Sequence, residues 1–308
     1  MKKQANQTIS VIIPTRNRAK EVVDCLESIK LQTLKPDEII IVDSSDNDSV
    51  KKELSKFNVK LLKIKYFYIK TAGGPYQRNF GAEKSKGDII LFSDDDTIWS
   101  KNYLEEIKRV FNEKKLEEIG GVTSNPIIKR KNSKQKLTAL LNNVFSSIFL
   151  LTREGNGKFQ ISGMATTFGK DVKEIKKCEF LYGFSMAFRR EVFLKFRFDE
   201  KCGGYAWNDD DDIAYRVSKE YNNYFTPFAK VIHTMPRRNK KIDGYTHTKR
   251  VIIYHHYFFK KNLPKTILYI IAFWWSIIGL IIKNSLIALI KKDYHRIRGL
   301  IDGIKEII

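Results

Sequence analysis

Two runs of aspartate, Asp94-Asp95-Asp96 and Asp209-Asp210-Asp211-Asp212, stand in a chain whose formal net charge is +21. Adjacent carboxylates repel one another, so such runs persist where a divalent cation or a basic pocket compensates them. Hard oxygen ligands of this kind suit Mg²⁺ or Mn²⁺, which typically take one or two carboxylates together with substrate phosphates. A solvated acidic turn is the plain alternative for the first run. For the second, Asn208 offers an N-cap, and aspartates in a first turn complement the helix dipole. Capping needs one or two acids rather than four. Four also push some of their own pKa values up, toward what a general base needs.

The flanking residues say what must hold each run. The first follows an apolar strand, 88–92, and the second precedes Ile213, Val217 and Tyr221 at helical spacing. Both runs therefore sit at element ends, where loops build sites. Upstream, apolar strands are expected over 9–13, 38–42 and 59–67. Helices are expected over 19–31, around Val50, Leu54 and Phe57, and from Gly73-Gly74-Pro75 onward with proline in the first turn. This alternation implies an α/β, doubly wound sheet that is mostly parallel, with ligands bound beyond the carboxyl ends of its strands. The segments 14–18, 43–48 and 94–96 leave three of those ends and should converge in one crevice. No GxGxxG or Walker pattern is present, which excludes a dinucleotide fingerprint and a P-loop.

A chain of 308 residues can bury a sizeable core, and 43% hydrophobic with 30% charged residues is the balance of a folded enzyme. With 56 Lys and Arg against 35 acids, its surface should attract nucleic acid, anionic lipid or phosphorylated small molecules. Cys25, Cys178 and Cys202 form no metal spacing and suggest a reduced compartment. Residues 1–7 hold no apolar stretch, which argues against a cleaved signal. Residues 137–148 carry an apolar stripe at helical spacing, for which core packing is the default and membrane contact the alternative. Glycines 155, 157, 163 and 169 suggest a loop-rich mobile lid. Residues 266–282 contain no charge. As a helix that run is about 25 Å long, short of a ~30 Å span, and Trp274 and Trp275 fall mid-run. With lysines and arginines on both sides, one or two helices lying in an anionic membrane surface are expected.

Taken in order, several motifs resemble the family 2 glycosyltransferases of the GT-A fold, over roughly residues 9–233. They are Ser10-Val11-Ile12-Ile13-Pro14-Thr15-Arg16-Asn17-Arg18, Ile41-Val42-Asp43-Ser44-Ser45-Asp46, and Arg78-Asn79-Phe80-Gly81-Ala82. The Asp94–Asp96 run looks like the family's DxD element and Gly183 to Val192 like its acceptor-side strand and helix. Asp209 to Ile213 looks like its Glu-Asp-x-Asp-Leu element, with Asp in place of the usual Glu. The resemblance implies that Pro14, Thr15, Arg16, Asn17, Asp43 and Ser45 cradle the base and ribose of a nucleotide-sugar donor, and that Arg78, Asp94 and Asp95 lie near its diphosphate. It implies a Mn²⁺ or Mg²⁺ ion on Asp96 and Asp94, completed by His233. Asp210 would be the general base, with Asp209 as the alternative because the substituted Glu blurs the register. Gly183, Phe184 and Trp207 would face the acceptor.

The implied reaction is an inverting transfer to a hydroxyl of a glycan or polyprenyl-phosphate-linked acceptor, at the cytoplasmic face of the cell membrane. The expected domains are 1–245, with a nucleotide half at 8–123 and an acceptor half at 124–245, and a helical membrane-associated region at 246–308. Processive synthases of this fold carry several long spans and a Gln-x-x-Arg-Trp element; neither is seen, so one sugar per encounter is implied. Two other classes compete. A nucleotidyltransferase acting on sugar phosphates would share the metal-bound aspartates but leaves the second run without a role. A nucleic-acid binder would suit the net charge, yet no binding module is present, so nucleic acid is not an expected partner.

Overall fold

The computed structural model describes residues 7–57, 62–127, 133–169, 172–202, 209–234 and 243–308. The chain divides into two compact units, Met1–Ile128 with Val172–Pro236, and Lys129–Asp171 with Arg237–Ile308.

In the first unit, β1 (Ile9–Thr15), α1 (Ala19–Lys30), β2 (Glu38–Asp43), α2 (Ser49–Lys56), β3 (Ile64–Tyr68), α3 (Gly74–Lys84) and β4 (Ile89–Ser93) alternate as expected. The third strand begins at Ile64; positions 58–61 lie outside the described residues. β5 (Thr97–Trp99), α4 (Tyr103–Phe111) and β6 (Ile119–Pro126) follow. The second unit then takes α5 (Ser133–Ile148), β7 (Arg153–Gly155) and β8 (Thr166–Phe168). The chain returns with β9 (Lys176–Cys178), β10 (Ser185–Arg189), α6 (Arg190–Phe196), α7 (Asp209–Ser218) and β11 (Asn222–His233). The sheet runs β3-β2-β1-β4-β10-β6-β11-β5, with β9 also on β11. Its first four strands are parallel, and beyond β4 it is mixed, because β10 runs antiparallel between β4 and β6.

Continuous apolar runs make these strands because both faces are covered. Val11, Ile13, Ile39, Ile41 and Leu91 point to the layer containing Val22, Leu26 and Ile29 of α1. The alternate residues point the other way, where a Cβ on Gly81 of α3 would come within 2.5 Å of Ile12 Cγ2, so glycine permits the close approach. On that alternate side Phe92 sits in an aromatic cluster with Phe188, Phe193 and Phe198, at 6.3, 4.8 and 5.1 Å between ring centres. Phe92→Ala would leave a cavity there and is expected to destabilise the fold by ~3–5 kcal/mol, read by urea unfolding.

The second unit also holds α8 (Gly244–Asn262), α9 (Ile267–Lys291) and α10 (His295–Ile307). Three expectations change here. Residues 129–171 group with the C-terminal helices rather than with an acceptor half of a 1–245 domain. Phe149 stacks on Trp275 at 5.0 Å, and Trp275 Nε1 donates to the Ile148 carbonyl at 2.7 Å. The glycine-rich stretch is not an open loop: β7 and β8 pair in parallel, and bridges join Asn156 to Phe168 and Phe159 to Ala165. The apolar run is one continuous helix of 25 residues, about 37 Å long, because Asn284 is buried and donates back to the Leu280 carbonyl instead of ending it. Among the described residues α9 is the one helix long and apolar enough to cross a membrane.

Candidate active site

The first aspartate run hangs from the carboxyl end of β4, and the chain turns at once into β5. Ser93 and Thr97 hydroxyls lie 2.7 Å apart across that turn, and Thr97 Oγ1 donates to the Asp94 carbonyl at 2.9 Å. β5 pairs antiparallel with the end of β11, which sets His233 opposite Thr97. Thr234 N and Oγ1 both donate to the Asp96 carbonyl, at 2.9 and 3.0 Å. A residue 137 positions away in sequence is thereby brought to the run by strand pairing.

His233 Nε2 lies 2.9 Å from Asp96 Oδ1 and 4.0 Å from Asp94 Oδ2. One donor atom from each of these three residues falls within 4.8 Å of the others. Asp96 Oδ1 is buried without a well-aligned hydrogen-bond partner, although His233 Nε2 is so close. Two carboxylates and an imidazole converging on one point, with an acceptor left over, fit a divalent ion such as Mn²⁺. The Phe184 ring lies 4.7 Å from the His233 ring and limits its rotation, and Tyr182 stacks on Phe184 in turn. Burial works to raise the Asp96 carboxyl, but His233 and Arg18 outweigh it and leave it below its usual range. Burial works to lower His233, and Asp96 with Asp94 outweighs that and raises it.

Asp95 faces elsewhere. Its oxygens accept from Thr15 Oγ1 at 2.8 Å and Arg18 Nη1 at 2.7 Å, and Arg18 also reaches Asp96 Oδ2 at 3.0 Å. Burial pushes the Asp95 carboxyl up to about 7 even against Arg18. Asp95 thus fastens the tip of β1 to the tip of β4. Arg18 closes the first motif, but its motif position alone did not mark it as the counter-ion of this turn.

The other strand tips meet as the topology requires. Asn17 N donates to Ser45 Oγ at 2.8 Å, Asp46 N to Asn17 Oδ1 at 2.9 Å, and Arg16 pairs with Asp46 at 2.9 Å. Asn17 takes a left-handed backbone, φ 56°, which asparagine tolerates. Asp43 accepts from Ser45 N and Oγ on one oxygen and from Tyr66 Oη on the other. Gln77 of α3 donates to the carbonyls of Thr15 and Val42 at 2.9 and 2.8 Å, clamping β1 to β2 beside Pro14. Tyr66 and Gln77 went unread because nothing in the sequence pairs them with those tips.

The second run opens α7. Asp209, Asp210 and Asp211 are all raised, chiefly by burial; the neighbouring carboxylates of the run add to this at Asp209 and Asp211, and Asp94 adds to it at Asp210. Asp212 is bound by Arg216 at 2.7 Å one turn on and serves the fold. Arg78 joins the two runs: Nη2 donates to Asp94 Oδ1 at 2.9 Å and Nη1 to Asp209 Oδ2 at 2.8 Å, over the Phe198 ring. Asp210 accepts from the Gly183 backbone N–H at 3.1 Å. Asn208 and Trp207 lie outside the described residues.

Residues 10–196 match the profile of glycosyl transferase family 2. The chain belongs to that family. An uncharacterized glycosyltransferase of Rickettsia felis is 32% identical over 139 residues, which is 45% of this chain and 22% of that relative. The present chain therefore matches under a quarter of that protein's length. Among solved structures, the mannosyltransferase PcManGT of Pyrobaculum calidifontis, in complex with GDP-Man and Mn²⁺, has a TM-score of 0.60 at 15% identity. The match covers 98% of this chain and 87% of that one. GalNAc-T7 with UDP, GalNAc and Mn²⁺ gives 0.57 at 15% identity, covering 90% of this chain and 55% of that one. These likenesses show a shared GT-A fold.

In this glycosyltransferase a Cβ at Gly183 would lie 2.4 Å from Asp210 Oδ2. Gly183→Ala is expected to displace that carboxylate while the sheet stays intact. Misplacing a group at the chemistry by about 1 Å can cost ~10²-fold, so steady-state kcat in this variant checks whether Asp210 belongs to the chemistry: a steep fall with donor KM unchanged places it there, and an unchanged kcat removes it.

Proposed function

We propose that this glycosyltransferase moves a sugar from a nucleoside diphosphate donor to a hydroxyl of a glycan or lipid-linked acceptor, with inversion, using Asp210 as general base. The observation that carries the reading is the ionic chain in which Asp94, grouped with Asp96 and His233, is joined through Arg78 to Asp209, the neighbour of Asp210. Pro14, Thr15, Arg16, Asn17, Asp43 and Ser45 at the tips of β1 and β2 would hold the base and ribose. The GDP-Man and UDP complexes of the two structural neighbours support a donor of that class and Mn²⁺ as the ion.

Asp94, Asp96 and His233 would hold the ion, which supplies Lewis-acid neutralisation of the leaving diphosphate. Arg78 keeps Asp94 turned toward that side. Asp210 takes the proton from the acceptor O–H. The acceptor oxygen bonds to the anomeric carbon as its bond to the diphosphate breaks, and the electron pair leaves with the nucleoside diphosphate. Asp210 suits the base better than Asp209, whose charge is already paired with Arg78. The C-terminal helices would keep the enzyme at the cytoplasmic face of the cell membrane, near lipid-linked acceptors; the uncharged first sixteen residues of α9 support the membrane attachment in this reading.

The test is a screen of GDP- and UDP-sugars with Mn²⁺. A matching donor at a hundred times its dissociation constant should stabilise the fold by ~2.7 kcal/mol. Turnover should then release nucleoside diphosphate and an inverted product. Release of inorganic pyrophosphate would instead identify a nucleotidyltransferase and overturn the reading.

A further inference from the structure

Helix α5 turns its apolar stripe outward. Leu137, Leu140, Leu141, Val144 and Ile148 recur at helical spacing, and all five are exposed, between 50% and 61%. Ser146, on the opposite side of the helix, is fully buried. In water an amphipathic helix turns its apolar stripe inward, so water is not the medium this face is built for. Helix α9 repeats the pattern. Ile267, Ile271, Trp274, Ile278 and Ile282 lie along one exposed stripe, whereas Ser276 and Gly279 are buried on the other side. Small and polar residues inside with large aliphatics outside are the arrangement of helices packed together in lipid.

The two helices are joined. Trp275 Nε1 donates to the Ile148 carbonyl at the end of α5, a backbone acceptor that would otherwise lack a partner. Leaving it unpaired would be costly in hydrocarbon. A Cβ on Gly279 would come within 2.3 Å of Phe149 Cβ, so the contact is close.

We propose that α5 and α9 form one lipid-facing surface, with α5 as a second membrane element that enters a single leaflet of an anionic bilayer. The proposal rests on the membrane attachment by α9 given above. The exposed stripe of α5 extends about 18 Å, half the ~30 Å of a bilayer core, and no charge falls within 137–148. Charge complementarity selects the occupant: residues 243–308 contain eleven Lys and Arg against four acids. Basic residues of that density beside an apolar face fit anionic head groups.

The test uses the full chain in liposomes of phosphatidylglycerol and phosphatidylcholine, in a Cys202→Ser background, with nitroxides on Leu140→Cys, Val144→Cys, Asn142→Cys and Ile271→Cys. All four positions are exposed, so the substitutions spare the core. Collision with oxygen is expected to exceed collision with a water-soluble nickel chelate several-fold more at 140, 144 and 271 than at 142. A ratio at 140 and 144 equal to that at 142, with 271 still lipid-exposed, overturns the role of α5 and leaves the attachment standing. Nickel access at 271 removes the attachment and the proposal together. Spin–spin broadening at 140 and 144 that disappears on dilution with unlabelled chain would assign the face to a second copy, and also overturns it.

Discussion

Asp210→Asn is expected to leave donor binding intact and to lower kcat by ~10²–10⁴. The amide keeps an acceptor for the Gly183 N–H, so the local geometry survives, but it cannot take a proton. Asp209 cannot replace it while Arg78 holds its charge. The pH profile gives a second reading. Burial raises Asp210, so the base is disarmed by protonation at a higher pH than an ordinary aspartate near 3.9. Activity should therefore be present above that raised pKa and fall as pH drops through it, and the acid limb should be lost in the variant's residual rate. Near-full turnover by Asp210→Asn would remove the base assignment. If Asp209→Asn alone stopped turnover in a folded protein, the role would pass to Asp209.

Asp96→Ala is expected to abolish the Mn²⁺ dependence of donor binding. Loss of a group that merely orients a metal ligand typically costs 10–100-fold in metal affinity, and removing a ligand should cost more. The backbone of this residue is held by Thr234 through its carbonyl, so the strand pairing that positions His233 should persist. Titration calorimetry with a matching nucleotide sugar, with and without Mn²⁺, reads the effect. Equal affinity in variant and parent would take Asp96 out of the metal set.

Much of the fold was legible because burial on both faces writes itself into sequence. β1, β2 and β4 are nearly continuous aliphatic runs, and their ends fixed where a crevice had to be. The two aspartate runs were legible for the opposite reason, since clustered charge needs an explanation that packing does not give. What escaped depends on partners distant in the chain. Arg18, Tyr66 and Gln77 have ordinary local surroundings and acquire meaning only across strand tips. The length of α9 was underestimated because Lys283 and Asn284 look like a break, whereas Asn284 bonds within its own helix. The stripe at 137–148 obeyed the rule for a core helix, yet its apolar side faces outward; periodicity fixes a helix's sidedness but not the medium it meets.

Arg78 spans from a strand tip to a helix start with both ends of its fork occupied and its stem buried. A guanidinium so held acts as a gauge that fixes the spacing of the two aspartate runs and, in the proposed reading, the width of the gap between donor and acceptor chemistry. Redesign for bulkier sugars would then have to proceed through the surrounding loops, because widening the gap itself would break one of the two ion pairs that Arg78 makes.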